Sequence, residues 1–284
     1  MEKKYKIITD EIEVSYFDFI SNLWITLYRI EALRDGKNFK KGEKGGWIES
    51  EKNLSQEGDC WVYENAQIYE NARVSGDAQI FGNARVYENA QIFGDARVSG
   101  DARVYENARV YGNVQVCGNV RVFGNARIYE NAQIYGDVQI SDDTCIYENA
   151  RVSGDAWVSG NARIRGNAQV YGNARVSGGT LISDDTWVYG NARVYGNARV
   201  YGNAQIFGNA RVYGDTVVYG DAVVYGDARV SGRFNIDSAI IDFELVRITI
   251  CENNKLEVKE FLERMSKIEK SKDSVPKNKI IEGD

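Results

Sequence analysis

Hydrophobic positions along this chain recur every six residues. From Val62 the series runs through Ile68, Val74, Ile80, Val86, Ile92 and Val98 to Val230 and Ile236, and all thirty positions are Val or Ile. Six matches neither the 3.6-residue period of an amphipathic helix nor plain two-residue alternation, so it predicts a repeat of short extended segments. Two residues before the anchors, from Ala66 to Ala228, stand 21 Ala, 3 Val and 4 Thr. Three residues after them, from Asn65 to Asp227, 27 of 28 positions are Asn or Asp, with Gly179 the exception. The residue before that is mostly Gly, otherwise Glu or Asp.

Each slot has a physical role. The β-branched anchor favours extended backbone and points inward, so the residues on either side of it point outward. The Gly-Asn or Gly-Asp step supplies a tight turn. The small residue after it fits an internal corner. One such segment cannot stand alone, because burying a Val or Ile gives roughly 1.5–3 kcal/mol against roughly 1.5 kcal/mol of ordering entropy for each residue. Stacking, with backbone hydrogen bonds from coil to coil, is required.

An aliphatic residue followed four positions later by a small one, repeated every six, resembles the hexapeptide-repeat superfamily. That resemblance implies an all-β solenoid, a left-handed parallel β-helix whose triangular coils each take three hexads. Thirty hexads then give about ten coils and a prism roughly 48 Å long. Upstream, Gly45-Gly46-Trp47-Ile48, Asn53-Leu54-Ser55-Gln56 and Gly58-Asp59-Cys60-Trp61 resemble the opening of YdcK-like bacterial and prophage hexapeptide-repeat proteins. Ile48 and Leu54 stand six apart but Val62 follows eight later, which predicts a two-residue insertion in the first coil. The expected organisation is an N-terminal β cap with a first irregular coil over 1–59, the repeat over 60–236, a strand-plus-helix cap over 237–270 and a mobile tail over 271–284. The cap helix is read over Glu257–Ile268, and Ala239–Ile250 as a strand or two. Unpaired coils at both ends need such caps to block end-to-end growth.

Composition narrows the chemistry. Histidine is absent, so the general base of hexapeptide-repeat acyltransferases and the three-His metal site of γ-class carbonic anhydrases, both implied by the resemblance, lack their residues. The chain is therefore expected not to be an enzyme and to use no cofactor. Four widely spaced cysteines, Cys60, Cys117, Cys145 and Cys251, form neither a zinc knuckle nor a disulfide framework. The pairs Asp142-Asp143 and Asp184-Asp185 are read as solvated turns rather than cation ligands. Residues 1–59, 60–236 and 237–284 each carry a net charge of −2, and that even spread argues against nucleic acid. With no signal-like or membrane-spanning run, a cytoplasmic setting is expected.

With three hexads per coil, every third anchor shares a face. On the Ile68 face, Gln67, Arg85, Arg103, Arg121, Gln139, Trp157, Arg175, Arg193, Arg211 and Arg229 precede the anchors. Tyr69, Tyr87, Tyr105, Phe123, Ser141, Ser159, Ser177, Tyr195, Tyr213 and Ser231 follow them. The Val62 face is Gln-rich, with Trp61 and Trp187. The third face mixes Arg with apolar rungs, Leu181, Val217 and those near Val223. Stacked Tyr and Arg rungs can serve coil-to-coil packing alone. Tyr, Trp and Arg also dominate recognition surfaces. The candidate site is the lapse to Ser141, Ser159 and Ser177 beside Trp157, expected to be a shallow depression flanked by Arg121 and Arg175 and continued by Arg193 and Tyr195. The expected function is a scaffold that binds a protein partner or self-associates, as a dimer or trimer, in a phage or prophage context that the resemblance implies. The alternative is a module for a small anionic or sugar-like ligand, with a residual acyltransferase third.

Overall fold

The computed structural model describes residues 2–18, 23–232, 235–237, 240–242 and 247–250. The chain divides into two compact units, 1–249 and 250–284. The helix and tail expected beyond Ile250 lie outside the described residues.

The first unit is a parallel β-solenoid of about ten coils. Its strands are two to four residues long over most of the repeat, and each coil contributes one strand to each of three sheets. Partners are eighteen residues apart: Arg103 with Arg121 and Val104 with Val122 on the Ile68 face, Gln115 with Gln133 on the Val62 face, and Arg109 with Arg127 on the Val74 face. The backbone follows the same period, with Arg103 N–H donating to the Val120 carbonyl at 2.8 Å and Tyr105 N–H to that of Val122 at 3.0 Å. All thirty anchors are buried, and so is the column of small residues. The four Thr of that column keep their hydroxyls satisfied inside. Thr144, Thr180, Thr186 and Thr216 each donate to the carbonyl three residues back at 2.7–2.8 Å. Val223 pairs with Gln205 on the Val62 face, so its rung does not belong to the third face as the sequence reading had it.

The irregular ends follow from spacing. Ile48 pairs with Ile68 and Leu54 bridges to Val74, so both lie in anchor columns at a twenty-residue distance. The two-residue insertion therefore falls between Leu54 and Val62. Above this coil Tyr5–Asp18 and Leu23–Ala32 form an antiparallel pair, and the second of them pairs with Lys44–Ile48. The cap has its own packing, with Phe39 stacked on Trp61 at 4.4 Å and Lys4 fully buried. Lys4 Nζ donates to the Cys60 carbonyl and meets Cys60 Sγ, both at 3.0 Å. Burial pulls the Lys4 amine below its ordinary value and pushes the Cys60 thiol up, while their mutual attraction opposes both shifts. At the other end Val224 pairs with Ile241, seventeen residues on, and Ile240–Asp242 and Arg247–Ile250 are short strands.

Candidate functional site

The register places the sequence-derived candidates on one face but separates them into groups. Trp157 lies between Gln139 and Arg175, and Arg193 follows Arg175 on the next rung. Trp157 is 44% exposed, and the Arg175 guanidinium stands 5.5 Å from its ring centre. Such a contact stabilises a cation over an aromatic face by about 0.5–1 kcal/mol at an exposed position. Ser159 and Ser177 are half-buried beside them, held by N–H bonds to the Val176 and Val194 carbonyls at 2.9 Å.

Three expected members differ. Arg121 pairs with Gln139, one rung beyond the neighbour of Trp157, so it does not flank the indole. Ser141 is only 5% exposed and contributes no open depression. It opens a Ser-Asp-Asp-Thr turn in which its carbonyl accepts from Thr144 and its hydroxyl donates to Asp142. Tyr195 begins a separate stack with Tyr213 at 4.9 Å.

Aromatic ladders are a property of all three faces. Rings stack at centroid distances of 5.0–5.1 Å along Tyr69, Tyr87, Tyr105 and Phe123, and at 4.8–5.0 Å along Phe93, Tyr111, Tyr129 and Tyr147. The Ile68-face ladder is therefore one of several packing devices; its gap at Ser141, Ser159 and Ser177 adjoins Trp157, 44% exposed, while the Val62 face exposes Trp187 to 42%.

The Asp pairs are engaged in the turns. Asp142 and Asp184 accept the N–H of Gly160 and Gly202 at 2.9 and 3.0 Å, while Asp143 and Asp185 accept the amides of Asn125 and Asn167 at 3.0 and 2.9 Å. Among the described residues no group of three or more His, Cys, Asp or Glu converges on a metal-sized space, and no helix is long and apolar enough to cross a membrane.

A second group of residues was missed by reading aromatics. On the Val74 face a cleft of about 470 Å³ is lined by Arg163, Arg165, Arg199, Tyr147, Leu181 and Asn161, with Gly179 and Thr180 between them. The signal was present in the sequence, since Gly179 is the single departure from Asn or Asp in its column and Arg165 replaces a ladder aromatic.

Comparison with known proteins gives two kinds of likeness. The model of the YdcK beta-solenoid repeat matches residues 66–78, 78–91, 90–106, 102–118, 114–130, 146–160, 168–184, 188–202 and 204–220. YdcK of Escherichia coli (strain K12), named an uncharacterized acetyltransferase, is 34% identical over 74 residues, covering 26% of this chain and 23% of that protein. Among solved structures, the UDP-N-acetylglucosamine acyltransferase of Francisella novicida is 18% identical, with 58% of this chain and 66% of that chain covered and a TM-score of 0.30. These findings correct one expectation. The absence of His led to the expectation that the chain is not an enzyme, and the acetyltransferase name of the YdcK relative overturns it. What a missing His removes is His-dependent chemistry, and a carboxylate or another group can take the proton where its environment tunes it.

Proposed function

The chain belongs to the YdcK-like hexapeptide-repeat β-solenoids, and from that premise we propose that its Ile68 face is a recognition surface for a protein, either a second copy or another chain, centred on Trp157. One observation carries this reading: the aromatic stack breaks between Phe123 and Tyr195, and in the break a half-exposed Trp157 stands under Arg175. A large aromatic flanked by Arg on a regular face has the composition of an interface hot spot. Seven Arg precede anchors on this face and no acid does, so an acidic partner surface is the complementary one. In a phage or prophage setting that partner would be a host factor. Trp157→Ala with Arg175→Glu should weaken association by about 2 kcal/mol or more without unfolding the coil, as read by sedimentation for self-association and by cross-linking in lysate for another chain. Gln133→Ala with Gln169→Ala on the Val62 face is the control. If the control weakens association and the Trp157 pair does not, the face is wrong.

The name of the E. coli relative favours a second reading, acetyl transfer. An assay of thiol release from acetyl-CoA over amine and hydroxyl acceptors tests it. Release above the uncatalysed rate is expected, and an acceptor-independent baseline would sink it.

A further inference from the structure

We propose that the cleft on the Val74 face is a binding site for a phosphoryl group carried by a small molecule. It lies on a different face from Trp157 and does not depend on the reading given for that residue. Register explains why a cleft exists. Arg163, Leu181 and Arg199 occupy successive rungs of one column, so a short Leu stands where the neighbours carry long guanidinium arms. At the adjoining corner Gly179 interrupts a side-chain ladder in which Asn amides donate to the Asn or Asp eighteen residues on, as Asn125 does to Asp143 and Asn197 to Asp215. A Cβ on Gly179 would meet Asn197 Oδ1 at 2.8 Å. Without that side chain Asn161 has no rung acceptor and keeps its amide for the cleft. In the outer column the ring stack Phe93 to Tyr147 ends, and the next residue is Arg165.

Charge supplies the second half. None of Arg163, Arg165 and Arg199 has a carboxylate within ion-pair distance among the described residues, and Arg165 Nε is buried without a hydrogen-bond partner. No acidic residue lines the space. Three unpaired guanidiniums around a concavity repel one another, and an anion bearing two or three charges offsets that repulsion while taking paired N–H donors. The cleft between Arg85 and Arg103 on the Ile68 face makes a contrast, because Asp101 lines it. Tyr147 and Leu181 give the Arg163 cleft one less polar wall, suited to the organic part of a phosphate ester.

The test is titration calorimetry at low ionic strength, with inorganic pyrophosphate and ADP as probes. Wild-type protein should bind pyrophosphate, and Arg165→Gln should weaken that binding by about tenfold or more. Gly179→Asn, which fills the cleft and rebuilds the amide ladder once the Asn197 side chain shifts aside, should do the same, with an unchanged β-sheet circular dichroism spectrum showing that the coil is intact. Arg85→Gln in the contrasting cleft should leave affinity unaltered. ADP binding tighter than pyrophosphate assigns the site to an organic phosphate using Tyr147 and Leu181, and equal affinities assign it to the phosphoryl group alone. No binding of either probe, or the same affinity in Arg165→Gln, Gly179→Asn and wild type, overturns the proposal.

Discussion

Six glutamates, Glu64, Glu70, Glu88, Glu106, Glu130 and Glu148, adopt φ between 53° and 62°, a left-handed turn that costs a residue with a Cβ about 1–2 kcal/mol. They occupy the slot that Gly holds in most other hexads, so the left-handed residue is the one before Asn rather than the Asn itself. A carboxylate contact recovers the cost locally. Glu64, Glu70, Glu106 and Glu148 each accept, at 2.6–3.0 Å, the N–H of the residue eighteen positions on. A hydrogen bond to a carboxylate stabilises by roughly 1.5–3 kcal/mol, enough to offset the turn. Two substitutions separate the terms. Glu106→Ala keeps the strained backbone and loses the bond, and should lower stability by about 2 kcal/mol. Glu106→Gly loses the bond but relieves the backbone, and should cost about 1 kcal/mol less than Ala. Equal midpoints for the two variants in denaturant unfolding would show that backbone strain is not what sets this slot.

Between single residues and the solenoid stand the ladders, and their stacked phenols make the molecule sensitive to alkali. Tyr63 and Tyr129 are pushed up to about 12, in each case mainly by burial, with the neighbouring Tyr147 adding to it at Tyr129. Tyr87 is shifted further in the same direction, again by burial first and then by Tyr69 and Tyr105. Unfolded tyrosine ionises near 10. Between about pH 10 and 12 the folded chain therefore holds more protons than the unfolded one, and stability, complete below 10, falls as pH rises. The melting temperature should drop across this window while phenolate absorbance lags until unfolding, and Tyr129→Phe should flatten the drop. A lag-free titration near pH 10 in the folded protein would contradict the ladder's role.

The ladders also show what a sequence can disclose. In a parallel solenoid residues eighteen apart become neighbours, so anchors, corners, turns and the three faces can be read directly from the period. Burial of Ser141 was not readable, because its turn geometry depends on hydrogen bonds to Asp142 and Thr144. Neither was the Lys4–Cys60 contact, which joins segments of a cap that has no repeat. The Arg163 cleft escaped notice because it is made by what is small or absent, Gly179 and Leu181, and a search for prominent side chains passes over gaps.

For the whole molecule, stability is a sum over coils and their interfaces rather than one global core. Val158 is fully buried in the seventh rung of its column, counting from Ile48, with coils on both sides. Val158→Asp places an unpaired carboxylate where no partner exists, and coils on either side lose the interface that holds them. Circular dichroism should show loss of β signal well below the wild-type transition, and protease cleavage should concentrate near residue 158. A melting temperature within a degree or two of wild type would refute the six-residue register.

The two end coils break the count, with twenty residues from Ile48 to Ile68 and seventeen from Val224 to Ile241, against eighteen in the interior. A crystal grows because each new layer finds the footprint of the last. At the N-terminal end the layer over the first coil is the antiparallel pair Tyr5–Asp18 and Leu23–Ala32, so another copy arriving there meets a strand running the wrong way instead of a template for one more parallel coil.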